Sequence, residues 1–167
     1  YDSATNMSDR QGALMVLAGL ECPARTAALL DFYHRFRGND LVIDKWFSLQ
    51  AMSLHPQALA HVRALADHPD FTLRNPNRVR SLYMAFAANP QAFHVASGEG
   101  YRMLADVILA LDPINPQTAA RFVPSLGRWR RIEPGRAALM KAELERIMAA
   151  GNLSRDTFEQ VSRSLEG

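Results

Sequence analysis

The 167-residue chain carries 19 Lys+Arg against 17 Asp+Glu, a formal charge of +2, with 48% hydrophobic and 22% charged residues. That balance suits one domain with its own core and excludes a disordered tail, a collagen-like repeat and a mucin-like stalk. So small an excess makes no strong field for nucleic acid, and the longest apolar or small-residue run, Gly12–Leu20, is shorter than the ~20 residues of a membrane span. The single cysteine, Cys22, cannot close an internal disulfide and no secretory signal opens the chain, so a cytoplasmic location is expected. Tyr1 in place of an initiator Met is expected of a piece of a longer polypeptide. Every basic residue except Lys45 and Lys141 is Arg, which suits carboxylate or phosphate recognition and equally a compositional bias toward Arg and Ala.

In chain order, helical spacing predicts helices near 8–19, 23–36, 40–53, 56–67, 76–88, 98–111, 116–130, 135–150 and 154–165. Ser8 with Gln11 reads as a capping box for the first, and Pro23 suits the first turn of the second, which Gly38 should end in left-handed backbone. In the third, Leu41, Val42, Trp46 and Leu49 make an apolar stripe, with Asp44 and Lys45 elsewhere. Asn75–Pro76 caps and opens the fifth, whose buried face is Val79, Leu82, Tyr83 and Phe86. Asn89–Pro90 carries the same signal, and Ser97–Gly100 reads as a loop into the helix near 98. Asn115–Pro116 opens the seventh, in which Pro124 should kink or split the helix. Glu133–Pro134 is a weaker start for the eighth, and Gly151 should end it. No stretch alternates as a strand does. Short connections join about nine helices, and 40 residues separate the Asn75–Pro76 and Asn115–Pro116 caps. The expected fold is all-α, a superhelical stack of antiparallel helix pairs in one domain over 1–167.

Catalytic signatures are scarce. His34, His55, His61, His68 and His94 form no H-E-x-x-H and no Cys/His cluster with zinc spacing; His61 and His68, seven apart, could share a helix face. No nucleophile elbow, phosphate loop or dinucleotide fingerprint is present. Cys22 has no sequence partner that would make it reactive. Trp129 among Arg128, Arg130 and Arg131 reads either as a small basic patch with a stacking aromatic or as cations at a helix end. Arg78 and Arg80 flank the Val79 stripe, about 90° and 110° from its centre, and could face a groove. Gln117 and Arg121, four apart, share a face away from Phe122 and Leu126; a planar fork beside an amide suits a carboxylate or a peptide carbonyl.

Several segments recur together elsewhere: Asn6–Arg10, Asp44–Ala51, Asn75–Leu82, Ala92–His94, Gly98–Tyr101 and Asn115–Gln117. In this order and spacing they resemble the C-terminal domain of the bacterial aminopeptidase N family, zinc-dependent gluzincin metallopeptidases that remove N-terminal amino acids. The resemblance runs from Asn6 to Leu165. It implies an all-α helical-repeat bowl that closes over the catalytic domain and walls a large cavity. Arg80, Gln117 and Arg121 would line that cavity as substrate-binding residues, Arg toward the carboxylate of the peptide and Gln toward its carbonyls. The family's zinc helix, third-ligand Glu and exopeptidase loop have no counterpart in this chain. The resemblance therefore implies no catalytic residue, no metal and no cofactor here, with zinc in the parent. Its partners would be the parent's catalytic domain and a peptide substrate, not nucleic acid or a membrane. A free-standing helical-repeat scaffold for a protein partner is the alternative.

Overall fold

Side-chain oxygens open most of the helices. A helix leaves its first backbone N–H groups without partners, and Asn, Ser or a carboxylate just before it can accept from them. In the computed structural model, which describes residues 1–167, Asn6, Asn39, Asn75, Asn115, Glu133 and Ser154 all do so. Pro23, Pro76, Pro116 and Pro134 follow their caps at the first helical position, as the sequence predicts. Asn6, not Ser8, caps the first helix, its Oδ1 accepting from Asp9 N at 2.8 Å; Ser8 lies inside the first turn. Gly38 (φ 101°) and Gly151 (φ 77°) take the left-handed backbone expected after a helix.

The helices form two compact units, Tyr1–Ala92 and Phe93–Gly167. The first holds α1 (Met7–Ala18), α2 (Pro23–Phe36), α3 (Asp40–Ala51), α4 (Ala58–Leu65) and α5. Helix α5 begins as Pro76–Val79, widens into a π turn at Arg80–Met84 and closes as Ala85–Ala87. Its core gathers Leu14, Phe32, Ile43, Phe47, Val62, Val79, Leu82 and Phe86. Trp46 joins them and donates from Nε1 to the Leu29 carbonyl at 2.9 Å. The α3 stripe is rotated from the predicted one. Ile43, Trp46, Phe47 and Gln50 face inward, whereas Leu41 is 73% exposed, because a stripe of helical spacing through Trp46 and Phe47 includes Ile43 and leaves Leu41 outside.

Arg78 also departs from expectation. It is 3% exposed, not at a groove. Nε donates to Asp44 at 2.6 Å, Nη1 donates to the Asp70 carbonyl, and the guanidinium lies 5.0 Å from the centre of the Phe47 ring. Asp40 adds a longer, exposed contact at 3.4 Å. Two acidic residues on α3 thus supply the charge that lets an arginine enter the packing.

The second unit holds α7 (Glu99–Leu111), α8 (Pro116–Gly127), a 3₁₀ turn (Trp129–Arg131), α9 (Pro134–Ala149) and α10 (Arg155–Glu166), the short α6 (Pro90–Phe93) lying at the junction in sequence. Ten helices replace the nine expected because Asn89–Pro90 does start one. Helix α8 packs against α7, α9 and α10. Pro124 does not split α8, which runs on to Gly127. The proline withholds one hydrogen bond, and buried Phe122, Val123 and Leu126 hold the helix through that loss. The break comes at Gly127, where α10 passes so close that a Cβ would meet Ser164 Oγ at 2.7 Å. Asp112, 4% exposed just past α7, accepts from Ser154 N at 2.7 Å and from the hydroxyls of Ser154 and Thr157, tying down the start of α10.

Removing the buried guanidinium should leave Asp44 without its partner, so Arg78→Ala is expected to destabilise the fold by roughly 3 kcal/mol. Arg80→Ala, at a partly exposed site, is expected to change stability by less than about 0.5 kcal/mol. Urea denaturation of the two variants beside the wild type checks the contrast.

Candidate functional site

Helices α8 and α10 enclose a groove of about 420 Å³ in the second unit. Gln117, Ala120, Arg121 and Pro124 line it from α8, and Asp156, Glu159 and Gln160 from α10. The structure thus brings together the two residues that the i, i+4 spacing placed on one face. Asn115 caps the turn that carries Gln117, accepting from Thr118 N at 3.0 Å. Buried Thr118, Ala119 and Phe122 turn the opposite face of α8 into the core, so Arg121 is left exposed toward the groove. Glu159 is paired with Arg155 at 2.8 Å, whereas Arg121 makes no ion pair. Its fork is free to receive an acceptor.

Past Pro124 and Gln160 the surface continues into a second groove of about 370 Å³, lined by Gly127, Arg128, Arg131, Arg163 and Ser164. All three arginines are exposed and none makes an ion pair. The pair of grooves therefore runs from mixed charge at Asp156 and Arg121 to basic at Arg131 and Arg163. Arg130, which the sequence grouped with them, does something else. It donates to the Ser164 and Leu165 carbonyls at 3.0 and 2.7 Å and lies 4.1 Å from the Trp129 ring centre. Trp129 Nε1 donates to the same Ser164 carbonyl. These contacts complete the C-terminal end of α10, where carbonyls lack partners and a cation is favoured. The basic groove itself was not singled out in the sequence, since Arg163 is distant from Arg128 and only the α8–α10 packing joins them.

Arg80 belongs to the first unit, on the π turn of α5, half-buried and donating to Asn77 Oδ1. Single π turns within α-helices recur at functional positions. Nothing in the sequence marked this one.

The histidines do not compose a zinc site. His61 ends up on α4, whereas His68 lies in the turn beyond it, packed on Tyr33, Trp46 and Phe47, so the two share no helix face. His55 and His61 do meet, with ring centres 4.6 Å apart, but the third neighbour is a cation: Arg25 Nη2 lies 3.0 Å from His61 Nδ1. A guanidinium in that place repels a metal ion, and no group of three His, Cys, Asp or Glu residues converges elsewhere. Burial, reinforced by the Arg25 and His55 charges, pushes the His61 imidazole down to about 4. Cys22 stands at the start of α2, partly exposed and not capping it through its side chain. No helix is long and apolar enough to cross a membrane.

The family model described as "Domain of unknown function (DUF3458_C) ARM repeats" matches residues 1–166. The chain is 47% identical over 166 residues to aminopeptidase N of Caulobacter vibrioides, 43% identical over 167 to that of Haemophilus influenzae and 40% identical over 166 to that of Escherichia coli. This chain belongs to the ARM-repeat family found in the C-terminal portion of bacterial aminopeptidase N. Among solved structures, Legionella pneumophila aminopeptidase A, determined in complex with aspartic acid, superimposes with a TM-score of 0.92 at 34% identity, over 97% of this chain and 19% of that one. The matches to the three aminopeptidases N cover 99% of this chain and 19% of each relative, so the chain spans about a fifth of the relatives' length. The expected family and all-helical repeat fold are thus found.

The depressed His61 fixes the sign of a pH effect. Above pH 6.5 the imidazole is neutral whether the chain is folded or not. Between about 6.5 and 4 the unfolded chain binds a proton that the folded one refuses, so stability falls as pH falls through that window. His61→Gln is expected to lose less stability than the wild type between pH 7 and pH 4.5. Urea midpoints at the two pH values measure the difference, and equal losses would contradict the assignment.

Proposed function

We propose that this domain is a non-catalytic wall of a zinc-dependent aminopeptidase, closing over the cavity in which peptides lose their N-terminal residue and holding the part of the peptide beyond the cleaved bond. The chemistry that zinc supplies, polarising the scissile carbonyl and activating water, belongs in this reading to residues outside these 167. What this chain contributes is positioning. Holding a substrate in register lowers the barrier by spending the loss of its freedom at the binding stage.

The observation that carries the reading is the groove beside Gln117 and Arg121. A peptide lying there finds an amide that can both donate to its carbonyls and accept from its N–H groups, next to an unpaired guanidinium. The basic stretch at Arg128, Arg131 and Arg163 would suit the peptide's terminal carboxylate, for which a planar fork is the better match. Arg80 is assigned the same role from the first unit, its π turn setting the angle of the side chain. Family membership and the relatives' name support the aminopeptidase reading; the charge pattern supports contact with peptide.

In the full-length enzyme, Arg121→Ala is expected to raise KM for tripeptides to pentapeptides several-fold while leaving kcat and KM for an alanine arylamide unchanged. Steady-state kinetics on the substrate series tests it. Equal effects on arylamide and peptides would assign Arg121 to the fold, and no effect on either would remove it from the site.

A further inference from the structure

The basic groove carries more charge than the end of an ordinary peptide supplies. Arg128, Arg131 and Arg163 line it beside Gln160 and Ser164, with no carboxylate among them. Elsewhere the fold neutralises its arginines: Asp31 pairs with Arg35, Asp44 with Arg78, and Asp106 and Glu143 with Arg146. Here nothing in the chain does so. A single terminal carboxylate brings one negative charge and leaves two guanidiniums uncompensated at close quarters, where like charges repel. A peptide ending in Asp or Glu brings two carboxylates on one residue.

The neighbouring groove has the opposite balance. Asp156 and Glu159 line it with Arg121, and Arg155 already holds Glu159 at 2.8 Å. An acidic side chain lodged there meets its own sign of charge. Pro124 and Gln160 line both grooves, so the surface runs on from one to the other. Helix α8 sets the scale. At 1.5 Å per residue, Gln117 and Arg128 stand roughly 16 Å apart along its axis. An extended peptide covers that in about five residues, at ~3.3 Å each.

We propose that the basic groove selects longer peptides whose far end carries an acidic side chain beside the terminal carboxylate, with Arg128, Arg131 and Arg163 as the specificity determinants. The proposal rests on the reading that the groove at Gln117 and Arg121 holds peptide. The planar forks receive the two carboxylates, and the Gln160 amide and Ser164 hydroxyl can donate to oxygens left over. Asp156 and Glu159 disfavour an acid at earlier positions, which fixes the direction in which the peptide lies. Because the arginines are exposed, each pairing has the strength of a surface ion pair and is screened by salt. The result is a preference among peptides and not an absolute requirement.

The test uses the full-length enzyme and alanine peptides of four to nine residues, each ending in Asp or in Asn. The two endings have the same shape and differ by one charge, so the ratio of their kcat/KM values isolates the charge. That ratio is expected to stay near one for the shortest peptides and to rise to about threefold once the peptide is long enough, the size of an exposed ion pair. High salt should return it toward one. Replacing Arg131→Gln and Arg163→Gln together should flatten it, whereas Arg131→Lys with Arg163→Lys should keep most of it. Arg37→Gln with Arg74→Gln removes the same charge from exposed positions in the first unit and should leave the ratio unchanged. A ratio of one at every length would overturn the proposal. So would a raised ratio that survives in the groove variant, or that is lost equally in the Arg37 and Arg74 variant. Arg121→Ala reports the underlying reading separately. If it raises KM for Asn-ended peptides while the wild-type ratio stays at one, the groove holds peptide and only the charge selection fails. If neither it nor the groove variant alters any peptide, the underlying reading fails as well.

Discussion

The Asp112 carboxylate is the fixed point from which the candidate site is built. It sits at the end of α7 and takes three donors from the first turn of α10, the Ser154 N–H and the hydroxyls of Ser154 and Thr157. A negative charge there also suits the N-terminal pole of that helix. At the other end of α10, Trp129 and Arg130 close the Ser164 and Leu165 carbonyls. A helix held at both ends by groups from other elements cannot slide along α8. The spacing of Asp156, Glu159 and Gln160 from Gln117 and Arg121 then follows from the backbone and not from the contacts across the groove. This is the order of construction that a binding surface needs, since its own side chains remain free of structural duties.

The arginines of the chain divide accordingly. Some are consumed by the fold: Arg78 inside the first unit, Arg136 on the His94 carbonyl, Arg146 between Glu143 and Asp106, Arg130 on the α10 terminus. Arg121, Arg128, Arg131 and Arg163 are left unpaired on one stretch of surface. With a net charge of only +2, the chain as a whole has no strong field, so this local concentration matters only at short range. It suits a ligand that has already entered a groove better than one steered from a distance.

Backbone signals made most of the fold legible. Asn75–Pro76 and Asn115–Pro116 act through local geometry, a cap oxygen and a pre-set φ, and local geometry is readable from adjacent residues. Gly38 and Gly151 belong to the same class. What failed depended on neighbours distant in sequence. Arg78 reads as a surface residue until Asp44, 34 positions earlier, is placed beside it. Leu41 reads as core until the packing of Trp46 and Phe47 fixes the rotation of α3. Pro124 breaks an isolated helix but not one clamped by its buried face. The same division holds in the candidate site: Gln117 and Arg121 are four apart on one helix and could be paired in advance, whereas Arg163 reaches the basic groove only because Gly127 lets α10 close on α8. The π turn under Arg80 left no local trace.

An array built this way separates stability from recognition. Phe122, Val123 and Leu126 on the inner face of α8 cannot change volume without disturbing the core, because interiors are packed to near-crystal density. Gln117 and Arg121 on its outer face touch nothing the core requires. Substitutions at the outer positions can therefore change the character of the groove without altering the scaffold beneath it.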